Sequence, residues 1–320
     1  MDIFLFILMN NIFPIFILIS LGFLLSKKFN LDIYTISKLN FYIFVPTFTF
    51  VNLYTTDIEL KLLKVIIFAI SLLIVNFILS KIITKFKKYD SKLGNAFTNS
   101  ILFYNSGNIG IPIISLVFSN YPFIINGETP YLNTALAIQI MVLLTQNITT
   151  NSIGFFNAAK ANMHWKDSIK KIRAMPTLYA IPTAFLLKLI PFDFSTTPIW
   201  PALSYIKGGL VPIALIALGV QLSKTKFDFK NKEVYLSVFI RLLGGPIIAF
   251  CLILLFGFEG IAAQTLMISS SVPTAVNTAL IAVEYDNCSD FASQTVMIST
   301  LLSSITLVFV IYFARIAFPI

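Results

Sequence analysis

The chain has 320 residues, of which 57% are hydrophobic and 12% charged, with a mean hydropathy of +0.87. A soluble fold of this size carries about 25% charged residues, so a soluble protein of this composition would leave large apolar areas in water and is excluded. The formal charge of +9 is no argument for nucleic acid until the positions of the basic residues are known.

Charge-free runs of about 20 residues mark bilayer-spanning helices, and ten can be read in chain order. They are 3–26, 39–56, 65–80, a fourth inside 93–127 that ends near Phe118, one inside 129–159, then 174–190, 198–222, 234–256, 260–283 and 291–313. The first has no basic region before it and no small-residue cleavage pattern, so it reads as a span and not as a removed signal. Thirty-two Phe and 14 Pro against 13 Gly do not match the short alternating strands of a membrane β-barrel. Cys251 and Cys288 form no disulfide framework. The expected fold is an all-α polytopic membrane protein.

Seventeen of the 23 Lys and Arg fall in the odd-numbered connections: Lys27, Lys28 and Lys38 after span 1, then Lys81 to Lys92 after span 3. Lys160 to Arg173 follow span 5, and Lys224 to Lys232 follow span 7. Cytoplasmic loops are enriched in Lys and Arg, which places these loops inside and both termini outside a cell membrane. The ninth connection, with Glu284, Asp286 and Asp290, is acidic, but carboxylates weigh little in this rule. Segment 155–173 alternates apolar residues with Lys and reads as an amphipathic helix lying on the inner leaflet. His164, the one histidine, sits there beside Trp165 as an interfacial residue, with proton sensing the rarer reading.

The connector separates two five-span halves, 1–154 and 174–320. Pro14, Pro46 and Pro112 fall in the first, second and fourth spans of one half; Pro182, Pro212 and Pro273 do the same in the other. An odd number of spans inverts the second copy, and inverted repeats put equivalent helix breaks near the midplane, where carriers bind substrate. Span 4 carries Asn105-Ser106-Gly107-Asn108-Ile109-Gly110-Ile111-Pro112, and span 9 carries Ser269-Ser270-Ser271-Val272-Pro273-Thr274-Ala275-Val276-Asn277. Proline removes a backbone bond and clashes with the preceding turn. Two helices opened at these points would direct N-terminal N–H groups toward an anion. Small-residue helix packing with polar cross-links is the alternative.

The Asn105 to Pro112 stretch resembles the Asn-x-x-x-x-Gly-x-Pro element of the auxin efflux carrier family. Arg241-Leu242-Leu243-Gly244-Gly245-Pro246, Val272-Pro273-Thr274-Ala275, Glu284-Tyr285-Asp286 and Ser299-Thr300 are similar to its other motifs, in order and over the whole chain. The long central loop of plant members is missing. The resemblance implies a fold shared with bile-acid sodium symporters, with spans 4 and 9 crossing at unwound centres. A transport domain of spans 3–5 and 8–10 would shift, elevator fashion, against a scaffold of spans 1, 2, 6 and 7 that also forms a homodimer. The implied cargo is a small organic anion such as an auxin-like acid or a dicarboxylate, with lipid as the other partner.

Intramembrane charges are costly and face a cavity or a partner. Lys207 and Arg241 are the basic residues well inside predicted spans, Lys188 near the end of the sixth being free to snorkel. Arg241 either binds substrate or ties the broken helices, and Lys207 either meets a substrate carboxylate or snorkels. No Asp or Glu lies deep in a span, which weakens proton symport. No cofactor is expected, except that Na⁺ could be held by oxygens of Ser106, Gln264, Ser270 and Thr274; an uncoupled carrier fits equally. The expected substrate site comprises Asn105, Ser106, Gly107, Asn108, Gly110 and Pro112 from span 4. Span 9 adds Ser270, Ser271, Pro273, Thr274 and Asn277, with Lys207 and Arg241 nearby. The alternative is a Na⁺-coupled symporter of larger amphipathic anions. A channel, sensor or enzyme is more remote, because no filter motif or paired catalytic groups occur.

Overall fold

The computed structural model describes residues 3–29, 31–55, 61–159, 173–174, 176–225, 230–285 and 287–320. Their regular structure is helical, apart from two isolated backbone bridges. We number the helices α1 (3–29), α2 (33–55), α3 (Lys61–Phe86), α4 (Ser91–Leu102), α5 (Ser106–Phe118) and α6 (Leu132–Ala158). The second half gives α7 (Pro176–Lys188), α8 (Trp200–Lys224), α9 (Lys232–Leu255), α10 (Gly260–Ser269), α11 (Val276–Glu284) and α12 (Ser289–Ala317). By length and composition, α1, α3, α6, α8, α9 and α12 can each cross a membrane, and α5 and α10 are shorter apolar helices. Most of the amphipathic connector, with His164 and Trp165, lies outside the described residues, as does Asp286.

Several helix starts follow from side-chain caps. Asp32 accepts the backbone N–H groups of Tyr34 and Thr35 at the start of α2, and Asp90 accepts that of Leu93 at α4. Such caps satisfy donors that the first turn leaves without partners.

The prolines act in two ways. Ahead of Pro14, Pro46 and Pro246 the helix widens over Leu8–Ile12, Asn40–Phe44 and Ile240–Gly244. Each wide turn closes with the N–H of the residue before the proline reaching five residues back, to Leu8, Asn40 and Ile240 respectively. A fourth wide turn, Ser106–Gly110, precedes Pro112, but there the N–H of the residue before the proline reaches only four residues back, to Gly107. The extra residue moves the carbonyl four before each proline out of the ring's way. Pro182 and Pro212 behave differently: they sit inside the continuous helices α7 and α8. The expected match of Pro14 with Pro182 and Pro46 with Pro212 as equivalent breaks is therefore not seen in the backbone.

Packing divides by the size of the contact residues. The helices α1 and α8 run side by side in the same direction with their backbones touching. A Cβ on Gly22 would lie 2.2 Å from the Ile216 carbonyl oxygen, and one on Gly219 would lie 1.9 Å from that of Ile19. The Ser223 hydroxyl donates to that of Ser26 at 2.8 Å in the same seam, the small-residue packing used between helices in lipid. Helix α2 packs on α7 and α8. Around α6, fully buried Ile113, Ile114, Ile140, Leu266, Ile268 and Ile311 form the main core with α5, α10 and α12. Leu24, Ile247, Leu255 and Ile305 point outward and are exposed, as a lipid-facing surface requires. Helix α12 runs past its predicted end, which puts Arg315 in its last turn, half-buried over the Phe123 ring at 5.2 Å. Lys207 and Arg241 are thus not the sole basic residues on these helices.

Candidate functional site

The fourth predicted span is broken between α4 and α5, and the ninth between α10 and α11. The two breaks meet. Asn105 N–H donates to the Pro273 carbonyl at 2.8 Å and Ala275 N–H to the Phe103 carbonyl at 2.9 Å, an antiparallel bridge centred on Tyr104 and Thr274. Backbone groups freed inside an apolar layer need such partners. Thr274 closes the joint further: its hydroxyl donates to the Ser100 carbonyl at 2.9 Å and its N–H to Ser299 Oγ at 3.2 Å.

Arg241 is fully buried behind this joint. Its Nη1 donates to the Ile101 carbonyl at 3.1 Å and its Nη2 to that of Ser270, and the guanidinium lies 4.8 Å from the centre of the Tyr104 ring. It is a tie between the ends of two half-helices.

On the opposite side of the bridge is a pocket of about 40 Å³, whose lining includes Tyr104, Asn105, Ser106, Gly107, Asn108, Gln146, Asn147 and Asn277. None of the residues lining it is charged. It adjoins a cavity of about 380 Å³ that shares Phe41, Asn147 and Asn277 and continues along Tyr42, Asn151, Phe155, Pro176, Leu280 and Ile281. That cavity lies where α6 ends and α7 begins, on the side of the 155–173 connection. Arg241 lines neither the pocket nor the cavity, so a direct substrate contact, the other role expected for it, finds no support.

Hydrogen bonds orient the pocket's amides. Asn105 Oδ1 accepts Asn108 N–H at 3.1 Å, and Gln146 Oε1 accepts Tyr104 N–H at 3.2 Å. This leaves Asn105 Nδ2, Gln146 Nε2 and the Tyr104 hydroxyl buried without a well-formed hydrogen bond, on residues that are 5%, 3% and 2% exposed, and the Tyr104 hydroxyl faces the side chains of Gln146 and Ser270. Buried polar groups are normally paired, and a group left unpaired calls for an explanation. All three can donate a hydrogen bond. Asn108 Oδ1 is held by Asn40 Nδ2 at 3.1 Å. Gln139 Nε2 donates to the Ser106 carbonyl at 2.7 Å and lies only 2.4 Å from where a Cβ on Gly110 would be. Gly110 leaves room for this amide, which a Cβ there would have to displace.

Of the residues expected at the site, Asn105, Ser106, Gly107, Asn108 and Asn277 line the pocket. Gly110, Pro112, Pro273 and Thr274 shape the breaks without lining it. Ser271 donates back to the Met267 carbonyl at 2.6 Å, and Ser270 Oγ is buried without a partner away from the lining. Lys207 is half-buried on α8 and lines neither cavity. Gln264 Nε2 donates to the Phe318 carbonyl at 2.7 Å, and its Oε1 is buried without a partner. Sequence reasoning missed Tyr104, Gln139, Gln146 and Asn40. The two glutamines stand seven residues apart, two turns of one helix, and that pairing was a readable signal.

The family model described as "Membrane transport protein" matches residues 7–168 and 160–311. The chain belongs to this auxin-efflux-carrier type of membrane transport family. It is accordingly a multi-pass membrane transporter. An uncharacterized transporter of Methanothermobacter thermautotrophicus is 23% identical over 307 residues, 93% of this chain and 95% of that one. One of Methanocaldococcus jannaschii is 27% identical over 251 residues, 77% and 76% of the two chains. A Rhizobium meliloti protein bearing the name "Putative malonate transporter" is 28% identical over 155 residues, 44% of this chain and 48% of that protein.

Proposed function

We propose that this transporter is a secondary carrier of small carboxylates that binds the anion where the interrupted helices cross. The observation that carries the reading is a group of buried donors without hydrogen-bond partners, Asn105 Nδ2 and the facing pair Tyr104 Oη and Gln146 Nε2, on residues that line a pocket with no charged side chain. A carboxylate brings the acceptors such a set lacks, and the adjacent N-terminal ends of α5 and α11 contribute positive dipole ends. Asn277 and Asn108 complete the lining, while Phe41 and Leu280 offer apolar surface for the body of the anion. The name of the Rhizobium relative agrees with this substrate class. The adjoining cavity of about 380 Å³ favours a larger amphipathic anion as the second reading.

In this proposal the chain forms ten spans in two inverted repeats, 1–154 and 174–320, with α4–α5 and α10–α11 as the discontinuous crossing pair. Helices α1, α2, α7 and α8 form the scaffold and the homodimer contact; the others form the transport domain, which moves in elevator fashion. The close α1–α8 seam and the bridge between the two breaks support that division. The Lys-rich loops face the cytoplasm and both termini face outward, so the cavity opens inward.

The test is uptake of labelled malonate, malate and indole-acetate into proteoliposomes. Saturable counterflow is expected, and it should be abolished in Asn105→Ala/Asn277→Ala and reduced in Gln146→Leu. Saturable flux that all these variants retain at the normal KM would refute the site.

A further inference from the structure

The two interrupted spans are held differently beyond their breaks. Helix α5, the second half of the first, is sealed: Ile111 to Ile114, Val117 and Phe118 are all buried. Helix α11, its counterpart, packs on α4, α6 and α12 and stands between two cavities. One is the cavity of about 380 Å³; the other, of about 490 Å³, is walled on its far side by Tyr34 of α2 and Gln221 of α8. Both reach Leu280, which is 50% exposed. One half-helix is clamped, and the other has room beside it.

The clamp on α5 comes from two asparagines. Asn11 on α1 donates through Nδ2 to the Leu116 carbonyl at 3.0 Å, and Asn40 on α2 donates in the same way to Asn108 Oδ1 at 3.1 Å. Both side chains are buried, and the amide oxygen of each has no partner, so one bond alone offsets the desolvation of each amide. Each asparagine stands in a wide turn, Leu8–Ile12 ahead of Pro14 and Asn40–Phe44 ahead of Pro46. The residue that such a turn inserts rotates one part of the helix against the other by about 100°. A helix can then pack on its neighbour along one face and reach α5 from another.

The acceptors 108 and 116 are about 12 Å apart along α5. Because the helix between them is rigid, a slide of about 2 Å along its axis takes both bonds beyond hydrogen-bonding range together. Resting on the reading of α1, α2, α7 and α8 as scaffold and α5 as part of the moving domain, we propose that Asn11 and Asn40 form a two-point latch. It holds the carrier with its site open inward, and both bonds must release before the domain moves. Each bond is worth about 3- to 20-fold in the equilibrium between the two states. The two positions are not equivalent as probes. The Leu116 carbonyl also accepts from Asn120 Nδ2 at 2.8 Å, so Asn11→Leu removes the latch bond without stranding its acceptor. Asn40 orients Asn108 in the pocket lining, so Asn40→Leu also perturbs the site.

The test reads the two states directly. Spin labels are placed by Glu128→Cys, exposed in the loop after α5, and Ser195→Cys, exposed in the loop before α8, with Cys251→Ser and Cys288→Ser. Pulsed EPR on labelled protein diluted with unlabelled protein gives the distances within one chain. Two distances are expected. Asn11→Leu and Asn40→Leu should each shift their ratio about 3- to 20-fold away from the inward-open state, and the double variant should shift it by the product. Asn120→Leu removes the other donor to the same carbonyl, but within one domain, and should leave the ratio unchanged. If Asn11→Leu cannot be purified, Asn11→Ser, too short to reach Leu116, takes its place with the same expectation. A ratio that either latch variant leaves unchanged, with or without a lower melting temperature, would overturn the latch, as would an equal shift in Asn120→Leu. A single distance in every variant would overturn the moving domain and the latch with it. Shifted ratios with no flux for any carboxylate would sink the substrate reading and leave the latch standing.

Discussion

Gly110→Ala tests the tightest contact at the site. The added methyl would lie 2.4 Å from Gln139 Nε2 and 3.3 Å from its Cδ, against about 3.5 Å or more for an unstrained contact. Gln139 is fully buried, and its Nε2 holds the Ser106 carbonyl at 2.7 Å. Pushing the amide aside forfeits that bond and strands a buried carbonyl, about 1–3 kcal/mol. Overpacking adds a similar amount, so the single variant should lose about 2–4 kcal/mol. Gln139→Ala alone should lose about 1–3 kcal/mol, yet it empties the space the new methyl needs. In that background Gly110→Ala should cost less than about 1 kcal/mol, a coupling of roughly 2 kcal/mol between the two positions. Unfolding of the four proteins in mixed detergent–SDS micelles measures the cycle. Costs that add within about 0.5 kcal/mol would refute the reasoning and mean that α5 opens its first turn to relieve the clash.

Gly219→Ala should destabilise by about 1–3 kcal/mol, because a Cβ 1.9 Å from a backbone oxygen forces α1 and α8 apart. Gly208→Ala on the same helix, with nothing within 4 Å, should be neutral or slightly stabilising, and thermal melts compare the two. Asn40→Leu removes the bond to Asn108, worth about 0.6–1.7 kcal/mol, and should weaken substrate affinity by up to about 3- to 20-fold, read as KM in counterflow. The Thr35 hydroxyl, then the Tyr34 N–H, hold the Asp32 carboxyl below its ordinary value of 3.8. Its folded pKa being the lower one, its stabilisation of the α2 start is complete above 3.8 and fades as pH falls through the folded value. Acid melts of Asp32→Asn should lack that fading component.

The broken helices were legible because Asn, Ser, Gly and Pro crowd a stretch that lipid would not tolerate as loose backbone. Arg241 was legible for a related reason, since a charge inside a span must have a partner. Gln139 and Gln146 escaped notice because α6 is unbroken, and an amide in such a helix looks like ordinary packing polarity until its neighbours are known. Pro182 and Pro212 misled in the other direction. A proline states which hydrogen bond is missing, but tertiary surroundings decide whether the helix widens, as before Pro46, or continues, as through Pro212. Each wide turn also inserts a residue and rotates the rest of its helix by about 100°, so faces inferred from a 3.6-residue period drift beyond Asn40–Phe44 and Ser106–Gly110. Lys207 and Gln264 show the same limit: residue type suggested a role, and only the structure shows where they stand, Lys207 half-buried on α8 and Gln264 with its amide nitrogen on the Phe318 carbonyl.

The bridge between the two breaks also bears on how the protein is made. Asn105 N–H and the Phe103 carbonyl find their partners at Pro273 and Ala275, some 170 residues later in the chain. While the ribosome is still extending the second half, the first half holds an open polar joint that lipid cannot satisfy. Insertion must therefore shelter this segment, in the translocon or beside a chaperone, until Ala275 arrives. A nascent chain stopped short of α10 should be a substrate for membrane quality control, and the pocket at the crossing should be among the last parts of the protein to exist.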